Sequence, residues 1–399
     1  MILGIIIPVT FIILSSYIIW KSTDSFAIAA DYLGRNMSKG VKGATINAIA
    51  SSMPEFLTTM FFLFAVKNES GFADSFSGGL GVTAGSAIFN ILIIPAAILI
   101  FGTASLRKNG FAVNKKVIQR DGAFLLISNF ILIFVIFQKK LDYIDGLILI
   151  FIYILYLAFL RKDFGFKKRK SNTEDKFEVP KVSLKLNHFI SLDLKQIILN
   201  GRQLSTIVAW KTLIISTFVM SLGTWLLVEG IELLGRGEQY TMFGIADLKG
   251  LNLPLIFLSV LLASAATSIP DTMISIRDAR KGNYDDSISN ALGSNIFDIS
   301  FALGLPLFIF TLIHGDVVMS PDIKVGSITV WLLMLTINLV VIPVFIYSKK
   351  ISRLSALFLL IIYFLFIFFI IEEISKFAIV SDIVGFLLNF LHQLCPAVF

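Results

Sequence analysis

The chain has 399 residues, of which 56% are hydrophobic and only 15% charged, and its mean hydropathy is +0.85. Soluble domains of this size carry about a quarter charged residues, so these values exclude an ordinary soluble protein. The single cysteine, Cys395, excludes an internal disulfide and offers no metal-site spacing.

Apolar runs recur at about 20 residues, the length that crosses roughly 30 Å of hydrocarbon. Ten spans are predicted in chain order, at about 2–20, 43–66, 78–102, 122–138, 143–160, 206–230, 252–276, 286–312, 326–348 and 354–371. The first lacks a basic lead-in and a small-residue cleavage site, and is read as a retained helix. Residues 162–205, containing KKRK, Glu174 and Asp175, form the one long hydrophilic connection and divide the chain. The expected organisation is a first membrane unit at 1–161, this loop, a second unit at 206–372 and a tail at 373–399. Of the 34 Lys and Arg, 26 fall in alternate loops on one side of the predicted spans and seven on the other. Positive residues stay cytoplasmic, which places loop 162–205 inside and both termini outside. The net charge of +7 is thereby a topology signal, and a nucleic-acid partner is not expected.

The second span contains ASSMPE, Ala50 to Glu55, and the third contains GSAIFNI, Gly85 to Ile91. In the second half the seventh span reads ATSIPD, Ala266 to Asp271, and the eighth GSNIFDI, Gly293 to Ile299. Offsets of 216 and 208 residues pair the motifs across two five-span units, and an odd number of spans inverts the second unit. Inverted repeats with interrupted helices are the build of secondary transporters, whose sites lie near the bilayer midplane. Each proline removes a donor, so Pro54 is expected to free the carbonyl of Ala50 and Pro270 that of Ala266.

Each proline is followed by a carboxylate, Glu55 or Asp271, with a hydroxyl four residues before it, Ser51 or Thr267. Ser52 and Ser268 add hydroxyls at the same breaks, and Ser86 before Asn90 and Ser294 before Asp298 repeat the spacing. All these groups offer oxygen, the donor of hard cations such as Na⁺ and Ca²⁺. Three midplane carboxylates at about 2.5–3.5 kcal/mol each must be offset by roughly 8–10 kcal/mol. No Lys or Arg nearby in these spans can supply it, which argues for cation coordination. Asn47 fits either a ligand or an inter-helix hydrogen bond. Gly85 and Gly293 suit close helix packing, and His188, His314 and His392 fall in loops or the tail.

The paired motifs ASSMPE and ATSIPD, with GSAIFN and GSNIFD, resemble the repeats of the calcium/cation antiporter superfamily, specifically its sodium/calcium exchanger branch. The resemblance covers essentially the whole chain. It implies an all-α polytopic membrane protein with about ten transmembrane helices in two inverted five-helix repeats. It also implies antiport of Ca²⁺ against Na⁺ without a cofactor, in a bilayer and as a functional monomer, with the first and sixth helices sliding past the rest. Residue by residue, the ion ligands it implies are Ser51, Ser52, Glu55, Ser86 and Asn90, then Thr267, Ser268, Asp271, Ser294 and Asp298, with backbone oxygens of Ala48 and Ser264. Three positions depart from the family pattern: Ala50-Ser51-Ser52 stands for Gly-Thr-Ser, Ala87 for an asparagine, and Asp271 for the commoner glutamate. Aspartate at Asp271 and Asp298 is also how the potassium-dependent exchangers read, which opens potassium co-transport. The proton-driven calcium exchangers are the nearest alternative, but they carry Gly-Asn-Ala before the acid and no proline. An intramembrane hydrolase would need a base beside the candidate serines, and none accompanies them. A channel is disfavoured by inverted repeats with helix breaks.

Overall fold

The computed structural model describes residues 2–35, 37, 40–66, 72–102, 110–164, 188, 191–201, 203–348 and 350–375. Most of loop 162–205, the tail from 376, His392 and Cys395 lie outside the described residues. Among those described, nine helices are long and apolar enough to span a membrane, and a bent pair makes a tenth. In chain order they are α1 (Ile2–Leu33), α2a (Gly43–Ser51) with α2b (Met53–Ala65), α3 (Phe72–Gly102), α4 (Lys115–Phe137) and α5 (Tyr143–Phe164). The second set is α6 (Thr206–Gly235), α7 (Leu255–Arg280), α8 (Tyr284–His314), α9 (Pro321–Tyr347) and α10 (Arg353–Ser375).

The bundle turns apolar faces outward and packs around a largely apolar core, in which polar side chains gather at the centre. Ile207, Trp210, Ile214 and Phe218 of α6 are exposed, as are Leu354, Leu357, Ile361, Phe364 and Phe368 of α10. The exposed rows repeat every three to four residues, one helical face turned outward to lipid. Polar side chains of α2, α3, α7 and α8 are instead buried at the centre.

Among the described residues there are six short strands, which the apolar periodicity did not forecast, and four of them report the relation between the halves. β1 (Gly110–Phe111) precedes α4, β2 (Lys140–Leu141) precedes α5, β5 (Val317–Val318) precedes α9 and β6 (Ile351–Ser352) precedes α10. β1 pairs with β6 and β2 with β5, all antiparallel, so the α3–α4 link of each half joins the α4–α5-type link of the other. That exchange of partners is what two inverted units give. The remaining pair, β3 (Tyr240–Met242) with β4 (Ile245–Leu248), is a hairpin beside the start of α1, where Tyr240 donates to the Gly4 carbonyl at 3.2 Å.

Several helices run further than predicted, and in two of them, α1 and α4, the added charged end is partnered. α1 continues past residue 20 to Leu33, and buried Asp31 near its end pairs with Lys42 at 2.5 Å and with Arg277 and Lys281 at 3.5 Å. α4 starts at Lys115 instead of 122, and Arg120 lies buried against Asp121 at 2.6 Å. Asp121 also accepts from Ser289 at 2.6 Å and Tyr156 at 2.9 Å, while Arg120 donates to the Gly40 carbonyl at 3.0 Å. This network ties α4, α5 and α8 to the α1–α2 link.

Pairs of inner helices pack closely across the halves at matched points. A Cβ on Gly85 of α3 would stand 2.3 Å from the Val260 carbonyl of α7, and one on Gly293 of α8 would stand 2.8 Å from Ala44 Cα of α2a. Both glycines therefore serve packing, as the sequence suggested. Gly85→Ala must push backbone against backbone and is expected to cost about 1–3 kcal/mol, read as a lowered melting temperature in detergent. An unchanged melting temperature would show that α3 and α7 separate freely.

Candidate functional site: a buried oxygen cluster where the halves meet

The site forms where two helices are interrupted in the same way. A π-helical turn, Gly43–Asn47 in α2a and Ser259–Ala263 in α7, runs into one short α-turn and then a break at Ser52 or Ser268. The chain restarts with Pro54 or Pro270 in the first turn, where a missing N–H costs nothing. The first break bends the helix by 46°, whereas α7 passes as one span. Each proline thus acts as a helix starter. Around it, Ser52 and Ser268 donate their N–H groups to the Ala48 and Ser264 carbonyls at 3.0 and 2.9 Å. Directly after each proline, Glu55 and Asp271 face inward at 0% exposure.

Ser86 of α3 stands at the centre. Its hydroxyl donates to Glu55 Oε1 at 2.9 Å and accepts from Ser268 at 3.0 Å, with Asp298 Oδ2 at 3.5 Å. Asn90, one turn on, directs Nδ2 at Asn295 Oδ1 at 3.1 Å and at Asp271 Oδ2 at 3.5 Å. Ser294 donates to Asp271 Oδ1 at 2.5 Å and meets Ser51 at 3.3 Å. One connected network therefore holds Ser51, Glu55, Ser86, Asn90, Ser268, Asp271, Ser294 and Asp298, four from each half. Ser52 lies at the break with its hydroxyl unpartnered. Thr267 turns its hydroxyl back to the Ser264 carbonyl at 3.3 Å, and Ser51 likewise reaches the Ala48 carbonyl at 3.3 Å. Thr267, Ala48 and Ser264 thus border the cluster rather than join its side-chain network.

Four buried oxygens in this region have no hydrogen-bond partner: Ser52 Oγ, Glu55 Oε2, Asn90 Oδ1 and Asp298 Oδ1. Orphaned buried acceptors are expensive, and carboxylates most of all. None of the ion pairs among the described residues involves Glu55, Asp271 or Asp298. The residues fit a hard cation by donor type: carboxylate, hydroxyl and amide oxygen, without sulfur or imidazole. Among the described residues no three His, Cys, Asp or Glu side chains converge to hold one metal. Cations would be shared among neutral oxygens, with the acids spread along the cluster.

Asp298 opens a π-helical turn, Asp298–Ala302, that ends four residues before Pro306, which cannot donate to the Ala302 carbonyl. Its counterpart Asn90 lies in regular helix, so the halves differ here in backbone as well as charge.

Several residues escaped the sequence reading. Asn295 donates to the Ala87 carbonyl at 2.9 Å while accepting from Asn90, so it fixes which amide atom Asn90 turns to the cluster. Its one signal is its place in the second motif opposite Ala87. Asn290 bridges Ser275 at 3.0 Å and the Asp271 carbonyl at 3.4 Å. Asn47 resolves to the inter-helix role, donating to Asp278 at 2.7 Å. His314 ends α8 exposed and stacked on Phe310 at 4.5 Å.

Comparison with known proteins agrees with this build. The human sodium/potassium/calcium exchanger 5 is 26% identical over 356 residues, covering 72% of this chain and 66% of that protein, just under two thirds of its length. A structure of the sodium-calcium exchanger NCX_Mj, soaked with Na⁺ and Sr²⁺, superposes with a TM-score of 0.54 at 21% identity over 91% of this chain and 98% of its own. The H⁺/Ca²⁺ exchanger CAX superposes with a TM-score of 0.63 at 14% identity, over 98% of this chain and 88% of that one. At these identities both superpositions bear on the fold. The profile of the sodium/calcium exchanger protein family matches residues 7–162 and 208–372, and with nearly all of both halves covered the chain belongs to that family.

Proposed function

We propose that the chain is a secondary antiporter that moves Ca²⁺ across a cell membrane against Na⁺, binding both by turns in the oxygen cluster. The observation that carries this is the set of three fully buried carboxylates without a basic partner, two of them with an unpartnered oxygen, beside the unpartnered oxygens of Ser52 and Asn90. Cargo cations supply the missing charge. The ligand set is Ser51, Ser52, Glu55, Ser86 and Asn90 with Thr267, Ser268, Asp271, Ser294 and Asp298, and backbone oxygens of Ala48 and Ser264. The chain works as a monomer, divided at 162–205, with that loop cytoplasmic and both termini outside. It carries out no covalent chemistry and needs no resident cofactor. Counterflow in reconstituted vesicles, with one ion gradient varied at a time, tests the reading; calcium movement that ignores every counter-gradient would refute it.

Potassium co-transport is the refinement that Asp298 motivates. It differs from Asn90 in charge, and one of its oxygens is unpartnered. Asp298→Asn is expected to shift the sodium or potassium dependence of uptake several-fold while changing calcium affinity less. Unaltered dependence on all three ions would remove Asp298 from the monovalent site.

A further inference from the structure

Polar groups outside the exchange cluster form a second pattern. On α9, Ser327, Trp331 and Asn338 are fully buried, and Ser327 Oγ, Trp331 Nε1 and both amide atoms of Asn338 have no hydrogen-bond partner. Spacings of four and seven residues place them on one helical face, and the row covers about 16 Å at ~1.5 Å per residue. It begins shortly after Ser320, which caps α9 at the end of the bundle carrying β2 and β5, and passes the helix midpoint. Fully buried Met334 fills the gap between Trp331 and Asn338.

The row has a partner in the other half. Asn129 of α4, which packs along α9, precedes Asn338 by 209 residues, matching the 208 that separates the neighbouring motifs. Asn129 is also fully buried, with both amide atoms unpartnered. Two identical orphan amides thus stand at matched places in the inverted halves. Without a bound species each of these atoms would carry the penalty of a missing hydrogen bond in a medium that offers none.

The chemistry of the row selects its ligand. The row holds no carboxylate to balance a cation and no basic side chain to attract an anion, and the indole N–H of Trp331 can only donate. Amide oxygens need a donor, which excludes an apolar ligand. A small neutral molecule that both donates and accepts satisfies every group. We propose that α9 and α4 border a file of bound water, running from the β2–β5 end of the bundle to the level of Asn129 and Asn338. The file is separate from the cation cluster, with which these residues share no hydrogen bond among the described residues.

Hydroxyl-radical footprinting with millisecond X-ray pulses tests this on the full chain in micelles, because radicals formed from bound water label only side chains beside it. Trp331 and Met334 are both 0% exposed and lie in the main apolar core, as Phe62 lies in a second apolar cluster; Phe62, away from the row, serves as the dry control. After correction for intrinsic reactivity, Trp331 and Met334 are expected to be labelled at least fivefold above Phe62. Asn338→Leu should cut that labelling several-fold while leaving sodium-dependent calcium uptake unchanged, and Ser327→Ala provides the same comparison if the leucine variant does not fold. Wild-type labelling no higher than Phe62 overturns the proposal, as does labelling that neither variant changes. The wild-type measurement requires no transport, so it stands apart from the exchange reading.

Discussion

Calcium uptake into sodium-loaded vesicles is expected to fall at least a hundredfold in Glu55→Gln and again in Asp271→Asn. Each substitution keeps the volume and removes one of the three negative charges that the cluster offers to calcium. A unit pair about 4 Å apart at an effective dielectric of 20 is worth roughly 4 kcal/mol, and a divalent ion doubles it. Retaining only half of that doubled interaction would still weaken calcium binding roughly a thousandfold, at about 1.4 kcal/mol per decade. Stability should move the other way. An amide in place of an uncompensated buried carboxylate lowers the desolvation cost, so the cation-free melting temperature should hold or rise. The rise that calcium gives the wild type should shrink, since a ligand stabilises only the state that binds it. Near wild-type uptake in either variant would sink the ligand assignment, and a collapsed melting temperature would mark the loss as one of folding.

The sequence carried the membrane architecture because hydrocarbon leaves so few solutions: apolar runs of spanning length become helices, and every backbone group must be satisfied within them. It carried the cluster because ASSMPE and ATSIPD place acid, proline and hydroxyl at fixed spacing, and the second motif pair lands opposite them. What was not legible came from tertiary partners. The first span was expected to end near residue 20, yet α1 continues to Leu33, and its buried Asp31 meets Lys42, Arg277 and Lys281 from other segments. Arg120 falls just outside the predicted fourth span, yet it lies buried in α4 and donates to Asp121, the Gly40 carbonyl and Ser289. Asn295 needed three dimensions: nothing local says that it holds Asn90 and the Ala87 backbone at once. The Ala87 main-chain carbonyl of one half is thus held by a side chain of the other.

The choice of driving ion follows from the same geometry and has the sharpest experimental signature. Sodium and calcium about 4 Å apart repel by roughly 8 kcal/mol at an effective dielectric of 20. The acids of α2b, α7 and α8 bond into one network through Ser86 and Asn90, so an ion at one acid is felt at the others. Occupation by calcium and by sodium therefore compete, and that competition couples their movements. A ligand shifts a conformational equilibrium only by its different affinity for the two states, so sodium must bind where calcium binds to drive it. The hydroxyls and prolines at both breaks favour sodium, although the fold is shared with a proton-coupled exchanger. Calcium should therefore accumulate in sodium-loaded vesicles at least tenfold above vesicles with no sodium gradient, and an imposed pH gradient alone should leave uptake at background. Accumulation driven by protons without sodium would transfer the chain to the proton-coupled branch, with Glu55, Asp271 and Asp298 then cycling between proton and calcium.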